Sequence, residues 1–320
     1  MSEGIKVSKS EGDVVAIMTA DTHFSLNKPL ARAEENWLEY QAGMLRQLEQ
    51  LQVKYQCPIY IAGDVMDRWD STAALINMLL AAMPKEVHAI PGNHDTPHHS
   101  YKEITKSAYW TLVEAGKIKN LTPGGSHEYG PVGGTSLEVH PYPCGFPARP
   151  ASLNGLCLVV ALIHDYIWTE KTGHVGADVD KRYAKWMPKL KGYDVAVFGD
   201  NHVPWTIQSD DKVSIFNCGA FIARKATEMK LKPSVGLLHA SGKISRHYMD
   251  ISKDKWDDKA HVIAKIESSF NVDLDGFVQE LMTARNTGCD WAATVTEYCK
   301  KHKLDKGVAD IMVRAVEKAK

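Results

Sequence analysis

The chain has 320 residues, of which 38 are Lys or Arg and 39 Asp or Glu, so a formal net charge of -1 removes any global electrostatic case for nucleic acid or membrane binding, though a local basic face stays open. A hydrophobic fraction of 44% with 24% charged residues is ordinary for a soluble globular protein, and the length suits one large domain or a large domain with a smaller appendage. Residues 1–13 are polar without an apolar h-region, no apolar run reaches bilayer length, and the six scattered cysteines include no Cys-x-x-Cys, which together predict a cytoplasmic protein with reduced thiols and no disulfides.

In chain order, residues 14–18 (VVAIM) read as a buried strand and residues 33–55 as a helix, with Trp37, Met44, Leu45, Leu48 and Leu51 near helical spacing. Residues 58–62 form a second strand, followed by a helix over 71–83 with Asp70 or Ser71 as its N-cap. A third strand at 87–90 precedes a helix over 101–115 that ends at Gly116. From 121 to 155 the texture changes to Gly/Pro-rich turns around a short strand at 136–140. Strands then recur at 156–163, 194–198, 213–217, 235–239 and 243–248, with one helix near 179–190 between them. Two packed sheets flanked by helices are the expected α/β arrangement. Beyond Ser252 the strand signal stops, and helices are expected over 256–270, 274–285, 291–302 and 307–320. The boundary is therefore drawn between a catalytic domain, 1–252, and a helical C-terminal appendage, 253–320.

Five segments follow five of these strands: Asp21-Thr22-His23, Gly63-Asp64-Val65-Met66-Asp67-Arg68, Gly92-Asn93-His94-Asp95, His164, and Gly199-Asp200-Asn201-His202. In open α/β sheets, ligands and catalytic groups collect beyond the carboxyl ends of strands, so five strand ends converge on one site. One such segment alone is more often a helix cap or a turn former. Their conjunction in order points to a two-metal phosphoester hydrolase.

Phosphodiester hydrolysis needs an acidified water and neutralisation of charge on the phosphoryl oxygens, which two cations about 3.5–4 Å apart supply. Asp64, directly after a strand and Gly63, is the best bridging carboxylate. Asp21 and His23 stand at alternate positions, so an extended strand end would point both to one metal. Asn93 offers a neutral oxygen, and His164 and His202 offer imidazoles from the second sheet. His94 is placed to act as general acid to the departing oxygen, with Asp95 holding its other nitrogen.

These motifs resemble those of the calcineurin-like metallophosphoesterase superfamily over residues 14–250, and within it the layout and helical tail are most similar to SbcD/Mre11-type DNA-repair exonucleases of phage and bacteria. The resemblance implies a four-layer α/β/β/α sandwich with a small C-terminal helical appendage. It implies one metal on Asp21, His23, Asp64 and His202, a second on Asp64, Asn93, His164 and position 200, and a catalytic His94. Arg68 would touch phosphate or stand behind the ligands with Asp67; the alternative is a surface pair at the next helix. One position departs from the pattern: the family's Gly-His-x-His is here Gly199-Asp200-Asn201-His202, so a carboxylate replaces an imidazole and metal preference shifts towards Mn2+, with Mg2+, Fe2+ and Zn2+ as the other candidates.

The function expected is a nuclease acting on DNA ends or single strands, with an SbcC/Rad50-like ATPase as a candidate partner, no membrane partner, and a homodimer left open. A small-molecule phosphoesterase, cleaving a cyclic nucleotide or a phosphomonoester, is the alternative; a non-catalytic scaffold is disfavoured by the intact ligand set. Tyr166, Trp168 and Trp205 lie just past ligand positions and either stack on a base or pack in the core. The basic stretch Lys181, Arg182, Lys185, Lys189 and Lys191 is read as a solvated face in preference to a DNA contact. His98 and His99 are read as a solvated loop pair.

Overall fold

Strand β1 (Val14–Thr19) is buried along its whole length, and a computed structural model that describes residues 13–151, 157–173, 177–208 and 213–270 shows why. It lies inside a six-stranded sheet of order β12-β11-β1-β2-β3-β4, where β2 is Ile59–Ala62, β3 Val87–Ile90, β4 Ile118–Asn120, β11 Ser234–His239 and β12 Ile244–Tyr248. β1 to β4 run parallel, and β11 and β12 close one side antiparallel. Helices α1 (Trp37–Tyr55), α2 (Ala73–Ala82) and α3 (Ala108–Glu114) make the crossovers that parallel neighbours require.

A second six-stranded sheet has the order β5-β6-β7-β8-β10-β9: β5 His127–Val132, β6 Thr135–Tyr142, β7 Cys157–His164, β8 Val195–Gly199, β9 Trp205–Ile207 and β10 Ser214–Asn217. β6, β7, β8 and β10 are parallel, and the edges β5 and β9 are antiparallel. Along β7, Val160 and Leu162 join the core between the sheets with Met18, Tyr60, Val197 and Phe216. The alternate residues Val159, Ala161 and Ile163 pack on the far face with Trp186 and Leu190. This two-sided burial is why such strands read as unbroken apolar runs. Helical residues Leu45, Leu48, Leu75 and Leu79 are buried as well. Two mixed sheets flanked by helices are thus the α/β metallophosphoesterase-type sandwich expected.

Several elements differ from expectation. The 101–115 helix splits into a 3-10 turn (Tyr101–Lys106) and α3, because the Ser107 hydroxyl accepts from the Trp110 amide (3.2 Å) and caps a fresh helix. The 179–190 helix is three short pieces, Val179–Lys181, α4 (Tyr183–Trp186) and Met187–Leu190, broken where Arg182 turns extended (φ -65, ψ 135). α1 starts at Trp37 instead of 33, and Thr72 occupies the N-cap position of α2 without a side-chain hydrogen bond. β4, β5 and β9 were not foreseen; β5 is an edge strand carrying Gly130 and Pro131, where proline costs no ladder hydrogen bond.

The chain divides into two compact units, one of Met1–Leu26, Leu38–Ala223 and Leu231–Ser252, the other of Asn27–Trp37, Arg224–Lys230 and Lys253–Lys320. The second unit therefore draws two segments from well before residue 253. Its described part centres on buried Arg32, paired with Glu34 (2.5 Å) and Asp254 (3.0 Å) and lying 5.6 Å and 4.5 Å from the ring centroids of Trp37 and Trp256. Helix α5 (Ala260–Phe270) matches part of the expected 256–270 helix, and the three later helices lie outside the described residues. No described helix is long and apolar enough to cross a membrane, and the four described cysteines are free thiols.

Candidate metal centre

The ends of β1, β2, β3, β7 and β8 deliver the expected residues, His164 from within β7 itself and the others from backbone that has left the strand conformation. Asp21 (φ 52), His23 (φ 42), Asp64 (φ 52) and Asp200 (φ 79) all adopt left-handed backbone, which is costly for residues with a Cβ and concentrates at functional sites. The extended strand end expected to align Asp21 with His23 is therefore absent: β1 stops at Thr19, and two left-handed residues bring the pair together instead. The preceding glycines leave room. A Cβ on Gly63 would lie 2.1 Å from His164 Nδ1, one on Gly92 2.0 Å from Asp64 Oδ1, and one on Gly199 2.2 Å from the Ala62 carbonyl oxygen.

Two groups of ligand atoms result, Asp21 with His23 and His202, and Asp21 with Asp64 and His164. His23 Nε2 faces His202 Nε2 at 3.1 Å. One Asp64 oxygen, Oδ2, lies 3.5 Å from His23 Nε2 and 3.4 Å from His164 Nε2, the midway position of a bridging carboxylate. His164 Nδ1 is 2.7 Å from the Ala62 carbonyl, to which it must donate, so the neutral ring turns a lone pair at Nε2 towards the Asn93 amide oxygen (2.9 Å) and Asp64. Lone pair meets lone pair there. A cation, or a proton standing in for one, is what this donor set calls for, and the residues fit a divalent pair.

The electrostatics agree. His164 is held well above the ordinary imidazole range: burial opposes the charged form, and the Asp64 carboxylate, followed by Asp21 and Asp200, overrides it. Burial acts to raise Asp64 as well, but His164 and His94 hold it below the usual carboxylate value. Burial pushes Asp21 up to about 7 against the pull of His202 and His164. The buried carboxylates thus need positive charge nearby to stay ionised.

Asp200 takes a different place from the one expected. Its backbone N–H donates to both Asp21 oxygens (2.9 and 3.0 Å), and its carboxylate belongs to no group of clustered ligand atoms among the described residues, although it is close enough to raise His164. The 200–203 turn is braced by Asn201, whose amide donates to the Ile167 carbonyl (2.8 Å), and by buried Asn217, which donates to the Asn201 and Val203 carbonyls (2.7 and 2.9 Å). Asn217 was not anticipated, since nothing in its surroundings in the sequence resembles a site motif.

His94 is exposed at the edge of the centre, its ring 4.7 Å from that of His23 in a T-shaped contact. Its Nδ1 meets the Asp67 carbonyl oxygen at 2.7 Å, which fixes the tautomer and leaves Nε2 as the exchangeable position. Asp95 does not hold His94. Its carboxylate is buried and accepts from three amides, Val65 (3.0 Å), Met66 (2.7 Å) and Gly92 (2.9 Å), tying the β2 and β3 loops together. Burial raises Asp95 to about 7, reinforced by Asp64 and opposed by those three amides. Asp67 approaches His23 Nδ1 (3.7 Å) and forms a third group with His23 and His94. The Arg68 guanidinium is forked onto Asp70 through Nε and Nη2 (3.0 and 3.1 Å), a pairing that turns it to the loop before α2. Trp205 is core, and Trp168 donates to the Asp178 carbonyl (2.9 Å). Lys181 pairs with Asp165 (2.6 Å) and Arg182 with Glu170.

A two-sheet α/β sandwich with paired carboxylates and imidazoles at its strand ends is the architecture of metal-dependent phosphoester hydrolases. The calcineurin-like phosphoesterase family model matches residues 16–204, and the chain belongs to that family. Among solved structures it is similar to the 5'-nucleotidase from Candida albicans SC5314, at 12% identity and a TM-score of 0.46, over 79% of this chain and 57% of that one. No curated protein matches it in sequence.

Proposed function

We propose that the chain is a two-metal phosphodiesterase that cleaves nucleic acid, a nuclease of DNA ends or single strands. The observation that carries the metal-dependent reading is the oxygen Oδ2 of Asp64 set midway between His23 Nε2 and His164 Nε2, with lone pairs of Asn93 and His202 completing each side. Bound there, two divalent cations acidify a water and neutralise phosphoryl oxygens. Asp21, His23, Asp64 and His202 would hold one, and Asp64, Asn93 and His164 the other, with Asp200 as a further oxygen donor on rotation of its side chain. With the Asp200 carboxylate added, the second site would carry three oxygen donors to one imidazole, a set that suits Mn2+ over Zn2+. His94, fixed by the Asp67 carbonyl, supplies a proton from Nε2 to the departing oxygen.

The nucleic-acid substrate and an SbcC/Rad50-like ATPase partner rest on the resemblance of motifs and layout. A specific observation supports a small-molecule phosphoester as the second reading: Lys181 and Arg182, at the head of the basic stretch, are paired with Asp165 and Glu170. The test is to compare, with manganese, hydrolysis of a single-stranded oligonucleotide, a chromogenic phosphodiester and a chromogenic phosphomonoester. Cleavage of the oligonucleotide supports the nuclease. Turnover of the monoester alone overturns it.

A further inference from the structure

Two aromatic pairs stand on the loops that flank one side of the metal centre, and neither is used by the hydrolytic machinery. The first is Trp69 with His98, rings 5.7 Å apart and tilted by 54°. The second is Tyr101 with Phe146, 5.2 Å apart and nearly perpendicular at 76°. Their positions follow from the topology. Trp69 lies two residues after Asp67, whose carbonyl holds His94, and His98 lies four residues after His94. Phe146 closes the turn after β6, its amide donating to the Pro143 carbonyl (3.0 Å). β6 runs beside β7 with Tyr142 opposite Ile163, so this turn leaves the sheet at the level of His164. Tyr101 and Phe146 therefore meet between loops, one after a first-sheet strand and one after a second-sheet strand.

Exposure marks these rings as a surface and not as core. Phe146 is 39% exposed, His98 is exposed, and Trp69 and Tyr101 are half-buried. Their placement is also maintained at a cost. His98 and its neighbour His99 both hold left-handed φ (53 and 56), a conformation unfavourable for residues with a Cβ that persists where the surroundings impose it. Planar rings presented beside a phosphoester site can stack on the faces of bases, which is sequence-tolerant because every base has a π-face.

We propose that Trp69, His98, Tyr101 and Phe146 form a stacking rim that takes the nucleobases next to the scissile phosphate. The inference deepens the nuclease reading and rests on it for the identity of the ligand as a nucleic acid strand. His94 acts at the phosphate whatever it carries, and the rim adds preference for base-bearing substrates.

The test uses the full chain with manganese and two fluorescently labelled pentanucleotides of equal phosphate count, oligo-dT and an all-abasic analogue. Binding and cleavage are measured for both. With stacking worth roughly 1–3 kcal/mol per base, wild type should bind oligo-dT at least about 5–150-fold more tightly than the abasic strand. Trp69→Ala and Phe146→Ala should each bring that ratio towards one, while Phe146→Trp, which keeps a ring, should preserve it. A wild-type ratio near one overturns the proposal, as does an unchanged ratio in folded alanine variants. Equal binding and equal cleavage of both strands would remove the rim and leave the nuclease reading intact. A base preference in binding with no cleavage of either strand would do the reverse.

Discussion

Replacing Asp95 by Asn separates two roles for a residue that sits next to the proton donor in the chain but points away from it. The carboxylate accepts three amides: Oδ2 from Val65 and Gly92, Oδ1 from Met66 (2.7 Å). An Asn side chain has one carbonyl oxygen. Turned to keep the two bonds, it aims an NH2 group at the Met66 N–H and sets two buried donors against each other, of which the Met66 N–H alone loses an acceptor it had, at a cost of about 1–3 kcal/mol. At about 2–4 °C per kcal/mol for a domain of this size, Tm should fall by roughly 2–12 °C. His94 keeps its ring on the Asp67 carbonyl, so kcat should escape the loss of about 10²–10⁴-fold that removal of a general acid causes. Thermal unfolding and steady-state kinetics on the same preparations check both statements. An Asp95→Asn variant of unchanged Tm whose kcat collapses would show that Asp95 positions His94 after all, and would refute the reading of Asp95 as a clamp between loops.

His94→Gln should retain both metals and lose about 10²–10⁴-fold in kcat, because a general acid is removed and no ligand is; metal analysis beside kinetics checks it, and loss of metal would reassign His94 to the ligand set. Stability should fall as pH drops from about 6.5 to about 4 through His88, which stacks on Tyr60 and is pushed down to about 4 by burial, with Lys119 adding to it. In that window the unfolded chain binds a proton that the folded chain refuses, so the stabilisation is complete above about 6.5 and lost below. Urea midpoints against pH should be flatter for His88→Phe than for wild type, and parallel curves would contradict the assignment. Asp200→His should shift metal preference from manganese towards zinc, measured by metal content after exposure to both ions; the same preference in the two proteins would mean that the Asp200 carboxylate does not reach the metal.

The clustering of Asp21, His23, Asp64, Asn93, His164 and His202 was legible because each sits in a short motif at the end of an apolar strand, and because the glycines before Asp64, Asn93 and Asp200 announce close approaches that a Cβ would block. How the ligands reach the centre was not legible. The alternation of Asp21 and His23 suggested an extended strand end, whereas left-handed backbone at both residues does the work, a conformation that their side chains do not advertise. Asp95 was misassigned for the same reason. Adjacency to His94 is visible in the sequence, but the amides of Val65 and Met66, some thirty residues earlier, become its partners only once the β2 and β3 loops close on each other. The buried strands were readable as apolar runs, while β4 and β9 are three-residue edge strands and the edge strand β5 has no fully buried residue, so none of the three presents such a run. The helix expected over 179–190 failed at Arg182, where the chain turns extended between two short helical pieces.

The central claim is that Asp64 joins two metal sites built from Asp21, His23, His202, Asn93 and His164. It is tested most directly by counting metal: saturate the chain with manganese, remove excess by gel filtration, and measure the ion-to-protein ratio for wild type and Asp64→Ala. Two ions per chain are expected in wild type, and fewer than one in Asp64→Ala, because each site loses a ligand and the pair loses its shared negative charge. A wild-type chain that binds fewer than two ions, or a folded Asp64→Ala chain that still holds both, would contradict the account.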